Sequence, residues 1–315
     1  MNITLNNSYN KKNRVLNFFF RDVYDGRFLA TLRIGTGLIL LSQFIQLLPD
    51  VQALMGENGM VRPDLQAVDV PAYILSLPRL ATYANAYMHI RYESVIYLLG
   101  IVYAIVIVLL TFGLLTRINA CLAWLLHLSF IYSAHLFTYG VDYFLTALLF
   151  YNVVFPVGRV YSIDKLLFKY KASNYTPYIR LLQIHICLVY FISGLAKAVG
   201  TNWWNGMSIW KAINRPSVTS YNIHFLSSFE DIYVVAGIAT IIVELFYCFF
   251  IWNKHTRILW LTLTCLMHLT IAFVLQLPYF AAVMILFNIV TFSYKPKEQN
   301  NKNTSYEEQG LLNNI

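Results

Sequence analysis

Apolar residues fall along this chain in eight long runs separated by short polar turns. The runs cover approximately 28–48, 94–115, 118–136, 141–157, 179–199, 231–252, 257–276 and 278–294. Most approach the roughly 20 residues that carry a helix across about 30 Å of hydrocarbon. The ten-residue alternation of an outer-membrane barrel is absent. The pattern predicts an all-α, polytopic integral membrane protein of about eight transmembrane helices. Six or seven crossings remain open alternatives, because only Leu277-Pro278 divides the last two runs and one pair can be re-entrant. Residues 49–93 are too polar to span. Their LSLPRLATYANAYMHI stretch predicts a short helix at the interface.

Composition agrees with this class. The chain is 58% hydrophobic and 12% charged, against about 25% charged for a soluble domain. The 22 Phe, 23 Tyr and 6 Trp suit interfacial belts as well as packing. With eight crossings and the N-terminus inside, sixteen of the 23 Lys and Arg fall on the inner side and five on the outer (Arg62, Arg79, Arg91, Lys211, Arg215). That asymmetry predicts a cell-membrane protein with both termini cytoplasmic. It also accounts for the net charge of +8 as inner-leaflet anchoring, and nothing points to nucleic acid.

The first apolar run is too long for a signal-peptide core and lacks a cleavage site, so no cleaved signal is expected. The expected organisation is a cytoplasmic segment 1–27, a transmembrane domain 28–294 and a disordered cytoplasmic tail 295–315. Cys121, Cys187, Cys248 and Cys265 all lie in apolar runs without a CxxC pair and read as small core residues.

Candidate chemistry lies in the few polar groups inside the runs. Lys197 ends the fifth run, just before a Trp-Trp-Asn-Gly stretch, Trp203 to Gly206. An intramembrane ionisable residue marks a functional site, although a lysine at a helix end also snorkels to the headgroups. Tyr190, Ser193 and Gly194 share its face, since residues three, four and seven apart stack along a helix. Glu244 is central in the sixth run and His268 in the seventh; His127 and His135 lie in the third. A mid-membrane carboxylate is costly unless paired or protonated, so Glu244 is expected to partner His268 or Arg33. Arg33 is expected to snorkel or pair near the inner end of the first run. A lone histidine such as His127 or His185 commonly just hydrogen-bonds a neighbouring helix, and small residues such as Gly194 commonly mark close helix packing.

A lysine in an apolar site has its neutral form favoured and can act as a base, with histidines relaying protons. The candidate set is Lys197, His135, Glu244 and His268, expected to line one outward cavity. No metal is expected: His127 and His135 lie about 80° apart around a helix, and no HExxH occurs.

Five stretches carry a family resemblance: LATLRIGTGLILL in the first run, FGLLTRI (112–118), AHLFTYGVDYFL (134–145), YFISGLAKAVGTNWWNG (190–206) and MHLTIAFVLQLPYF (267–280). In order and spacing they resemble the HTTM membrane proteins, a group related to the transmembrane part of vitamin K-dependent gamma-carboxylase. By that resemblance Lys197 matches the base that deprotonates reduced vitamin K. Oxygenation then yields a strong base that takes a γ-proton from glutamate, and the carbanion takes up carbon dioxide. His135 and His268 match histidines near that site, and Glu244 an acidic residue one helix before the late histidine. The resemblance implies an extracytoplasmic site, a reduced quinone such as vitamin K hydroquinone as cofactor, and a peptide or lipophilic substrate besides the lipid bilayer as partner. The carboxylase has a lysine pair where this chain has Ala196-Lys197, and its large lumenal domain has no counterpart in these 315 residues. Two readings follow: carboxylase-like modification of a peptide or small molecule, or a non-enzymatic helper in peptide maturation, export or immunity.

Overall fold

Each of the eight apolar runs is a helix. A computed structural model describes residues 14–20, 24–62, 64, 70–71, 73–170, 173–215 and 230–296. Most of the expected segments 1–27 and 295–315 therefore lie outside the described residues. The helices are α1 (Arg27–Leu47), α2 (Tyr92–Phe112), α3 (Thr116–Ser133), α4 (Gly140–Val154), α5 (Thr176–Val199), α6 (Glu230–Phe250), α7 (Arg257–Val274) and α8 (Pro278–Phe292). No strand occurs among the described residues.

Local sequence explains the breaks. Proline in the first turn opens α5 and α8, where its missing N–H costs nothing. Gly113 ends α2 in the left-handed conformation, φ +73°. A Cβ there would also lie 3.0 Å from the Arg33 guanidinium carbon, so the same glycine makes room for that side chain. The polar stretch before α2 forms the expected short helix, Leu77–Met88, which packs on α2 and α3. Its Leu77 N–H donates to Ser133 Oγ at 2.7 Å.

Successive helices pack as neighbours except α4 and α5, which a longer connection joins, and α8 returns to touch α1, α4 and α5. Nine of its fifteen residues are buried, among them Met284, Phe287, Asn288 and Thr291, so α8 is the central helix. The rim helix α7 is the reverse: only Thr264 and His268 are buried, and its apolar side chains face outward. A helix whose polar residues point inward suits a lipid surround.

Five helical segments are long and apolar enough to cross a membrane: Arg27–Met55, Tyr92–Phe112, Thr176–Val199, Asp231–Phe250 and Arg257–Val274. The apolar helices α4 and α8 have 15 residues each, about 22 Å of rise, and fall short of that length. By length and composition alone, five of the eight helical runs are candidate crossings among the described residues. The short α8 is also largely buried, and a helix covered by protein need not match the lipid thickness.

One end of the bundle is tied together by Arg33, which does not snorkel. It is fully buried and bonds to backbone instead of a carboxylate. Its Nη1 donates to the carbonyls of Val157 (2.6 Å) and Val160 (3.1 Å), its Nη2 to that of Tyr161 (2.5 Å), and its Nε to that of Thr111 (3.3 Å). Beside it, Asp164 accepts from the Leu115 and Thr116 N–H groups, both at 2.8 Å, and from Thr116 Oγ1 at 2.6 Å. Thus α1, the α2–α3 turn and the α4–α5 connection are locked at one end. The Leu77–Met88 helix, the α3–α4 turn and the α7–α8 turn occupy the other.

Candidate functional site

The Lys197 site is built by an unusually close approach of α5 and α6. Gly194 permits it: a Cβ there would lie 2.5 Å from Leu245 N, 2.8 Å from Leu245 Cα and 3.0 Å from Glu244 C. Any larger residue would push the helices apart. The Trp-Trp-Asn-Gly stretch continues the contact, because the Trp203 carbonyl packs onto Gly237 of α6. Gly206, at φ +76°, turns the chain against Tyr233 and Val234.

With the backbones this close, Glu244 reaches the amine one turn above Gly194. Lys197 Nζ donates to Glu244 Oε2 at 2.6 Å and to Ser193 Oγ at 2.5 Å. It also lies 5.1 Å from the Trp203 ring centroid, a cation–π distance. The two side chains are 18% and 9% exposed. Lys197 therefore turns inward to a partner, and Glu244 pairs with Lys197 and not with His268 or Arg33.

Deeper on the same face of α5, Tyr190 joins three more helices. Its OH lies 2.8 Å from His268 Nε2 on α7 and accepts from Asn288 Nδ2 at 2.7 Å on α8. Asn288 Oδ1 in turn accepts from Tyr247 OH at 2.7 Å on α6. With the Tyr190 oxygen accepting from Asn288, its proton is directed at His268 Nε2. This assigns the ring proton of His268 to Nδ1, which is buried with no hydrogen-bond partner among the described residues. A buried orphan donor is costly, so it marks a place where a further acceptor would fit.

The sequence-selected residues divide as follows. Lys197 and Glu244 meet, and His268 joins the same α5 face through Tyr190. His135 is half-buried in the α3–α4 turn, and no hydrogen bond of the Lys197 pair or of the Tyr190 chain reaches it. His127 bridges helices: Nδ1 lies 3.0 Å from Tyr103 OH and Nε2 3.4 Å from the Asp142 carbonyl. His185 Nδ1 pairs with Tyr151 OH at 2.8 Å. Both are the interhelical histidines that their isolation suggests. Asn288 was missed by sequence reasoning that weighed charges and histidines; its signal is an amide inside a 15-residue apolar helix.

A cavity of about 680 Å³ opens at the end of the bundle away from Arg33. Its polar wall includes Gln43, Asp50, His127, Tyr139, Asp142 and Gln276. Asp142 receives Gln43 Nε2 on Oδ1 (3.2 Å) and the Tyr139 N–H on Oδ2 (3.0 Å), the latter capping α4. Burial, then nearby Asp142 and Tyr279, push the Tyr139 phenol above its ordinary range, so it stays a neutral donor. None of Lys197, Glu244, His268 and His135 lines this cavity. The Phe280 ring lies 5.8 Å from the His268 ring and 6.0 Å from that of Phe144.

A family model for the HTTM domain matches residues 74–295, well over half of the chain. No curated protein and no solved structure gives a significant match.

Proposed function

The chain belongs to the HTTM domain family, and on that premise we propose that it is a carboxylase-like membrane enzyme whose Lys197–Glu244 pair takes a proton from a lipophilic hydroxyl compound, such as a reduced quinone, at the outer face. The observation that carries this reading is the desolvated 2.6 Å contact between amine and carboxylate.

An ammonium–carboxylate pair and an amine–carboxylic acid pair differ by one proton moved across one hydrogen bond. Low local dielectric narrows the gap between them, because each form is neutral overall. In the second form Glu244 holds the proton and Lys197 Nζ has a lone pair. The amine then takes the substrate's hydroxyl proton, which leaves an ammonium beside the new oxyanion and an un-ionised Glu244. Ser193 and Trp203 hold the amine in place. His268 Nδ1–H is the donor available to a substrate oxygen, and its lack of any other partner is the fit between this chain and such a group. A reduced quinone, when bound, supplies the acidic hydroxyl and the electrons for later chemistry.

Lys197→Arg tests the base role, because guanidinium keeps the charge and pairs with Glu244 but does not deprotonate in proteins. The assay is oxygen uptake with reduced naphthoquinone by the purified protein in nanodiscs. The wild-type protein should be active, while Lys197→Arg should lose about 100-fold or more with its thermal stability kept. Full activity in the arginine variant, or none in the wild type, would sink the proposal. The second outcome would favour the helper reading, in which the pair only clamps α5 to α6.

Orientation follows from charge. The Arg33 end of the bundle carries Arg27, Arg117, Arg159, Lys165, Lys169, Lys254 and Arg257, and the cavity end far fewer basic residues. This supports a cell-membrane protein with the Arg33 end and both termini cytoplasmic. Reporter fusions at Lys165 and at Arg215 should read opposite sides of the membrane; the same side for both would overturn the topology.

A further inference from the structure

The cavity at the far end of the bundle has a chemistry that the Lys197 site does not use. We propose that this cavity binds an organic ammonium carried on an apolar body.

Its charge is one-sided. Two carboxylates line it, Asp142 in depth and Asp50 at the exposed mouth, and no Lys or Arg does among the described residues. His127 supplies no counter-charge. With Nε2–H donating to the Asp142 carbonyl and Nδ1 accepting from Tyr103 OH, the ring is neutral and both nitrogens are engaged. Among the described residues the Asp142 carboxylate forms no ion pair, and its two hydrogen-bond donors, Gln43 Nε2 and the Tyr139 N–H, are both uncharged. Those donors fix its orientation without neutralising it. Each oxygen keeps a second lone pair that can accept from a ligand.

Capping of α4 explains why an acid stands at position 142, and it explains the Oδ2 contact. It does not explain why Gln43 crosses from α1 to hold the other oxygen, nor why a second carboxylate stands at the mouth. The walls between the two acids are aromatic: Phe44, Tyr103, Phe130, Phe137 and Tyr279. Carboxylates set among ring faces are the surroundings that hold a desolvated cation. The volume lies within the roughly 300–1,000 Å³ of small-molecule sites. An anionic ligand would meet two like charges and no cationic donor, so the electrostatics select against it.

The probe is phenylbutyltrimethylammonium, compared with its uncharged tert-butyl isostere. Binding is measured by calorimetry on the full-length protein in maltoside detergent, which carries no ammonium of its own. The cation should bind at least about 10-fold more tightly than the isostere. Asp142→Asn should remove most of that preference and Asp50→Asn part of it. Asp50 is exposed at the mouth, so Asp50→Asn keeps the test valid if Asp142→Asn fails to fold. Equal binding of cation and isostere would overturn the proposal, as would an unchanged preference in Asp50→Asn together with a folded Asp142→Asn. Phosphatidylethanolamine added to the micelle separates two sources of the ammonium. Displacement of the probe assigns a lipid headgroup and no displacement a free amine; either result supports the site.

Discussion

Arg33→Met should lower the thermal stability of the purified protein more than any other single change at a polar site in the bundle. Methionine fills similar space but donates no hydrogen bond. The carbonyls of Thr111, Val157, Val160 and Tyr161 would lose a shared donor in a region where Arg33 itself is fully buried. Bonds from a charged donor are worth about 1.5–3 kcal/mol each, and unsatisfied buried acceptors add to the loss. Some relaxation is expected, so the net cost is on the order of 3–5 kcal/mol. Arg33→Lys should recover little, because one ammonium cannot reach a fan of four carbonyls from the geometry of a planar fork. Thermal unfolding in detergent, followed by circular dichroism, gives the comparison. A methionine variant as stable as the wild type would show that the fan of bonds contributes nothing net.

The second large effect belongs to the Lys197–Glu244 pair. Glu244→Ala leaves an ammonium facing Ser193 and Trp203 with no counter-charge. Breaking a buried pair by removing one partner costs about 3–5 kcal/mol, while replacing both partners with apolar residues is often neutral. Glu244→Ala should therefore destabilise strongly, and Lys197→Met combined with Glu244→Leu should restore most of the loss. The double variant should nonetheless be inactive if the pair carries the proton chemistry. The double-mutant cycle reads the coupling directly. Additive single effects would mean that the 2.6 Å contact is not energetically a pair.

The sequence pattern located the elements better than it located the partnerships. All eight apolar runs fall on helices, because a hydrocarbon solvent demands helical backbone wherever an apolar run crosses it. Lys197 and Glu244 stand out for the same reason: charge is scarce in such runs. Which charge meets which was not legible. A helical repeat gives the face on which Glu244 points, but not that Gly194, Gly206 and Gly237 let α6 press against α5 and its following turn. Without that approach, His268 and Arg33 were equally reasonable partners. Arg33 was misjudged because its acceptors are backbone carbonyls at the end of α2 and in the α4–α5 connection, and carbonyls leave no trace in composition. The family resemblance supplied the class, and the match over residues 74–295 agrees with it. The far cavity went unread because its walls come from six separate helices, none of which carries more than two or three of its polar groups.

The 2.6 Å contact between Lys197 and Glu244 also determines how the site experiences the membrane voltage. A lone ammonium moved fully across the field would exchange about 2.3 kcal/mol for each 100 mV. Here the two charges are opposite and almost coincident, so the forces on them nearly cancel whichever atom holds the shared proton. The proton transfer between them spans a negligible fraction of the field. An energised and a de-energised membrane thus present the same resting site, and the first charge to feel the potential is the one that a bound substrate brings.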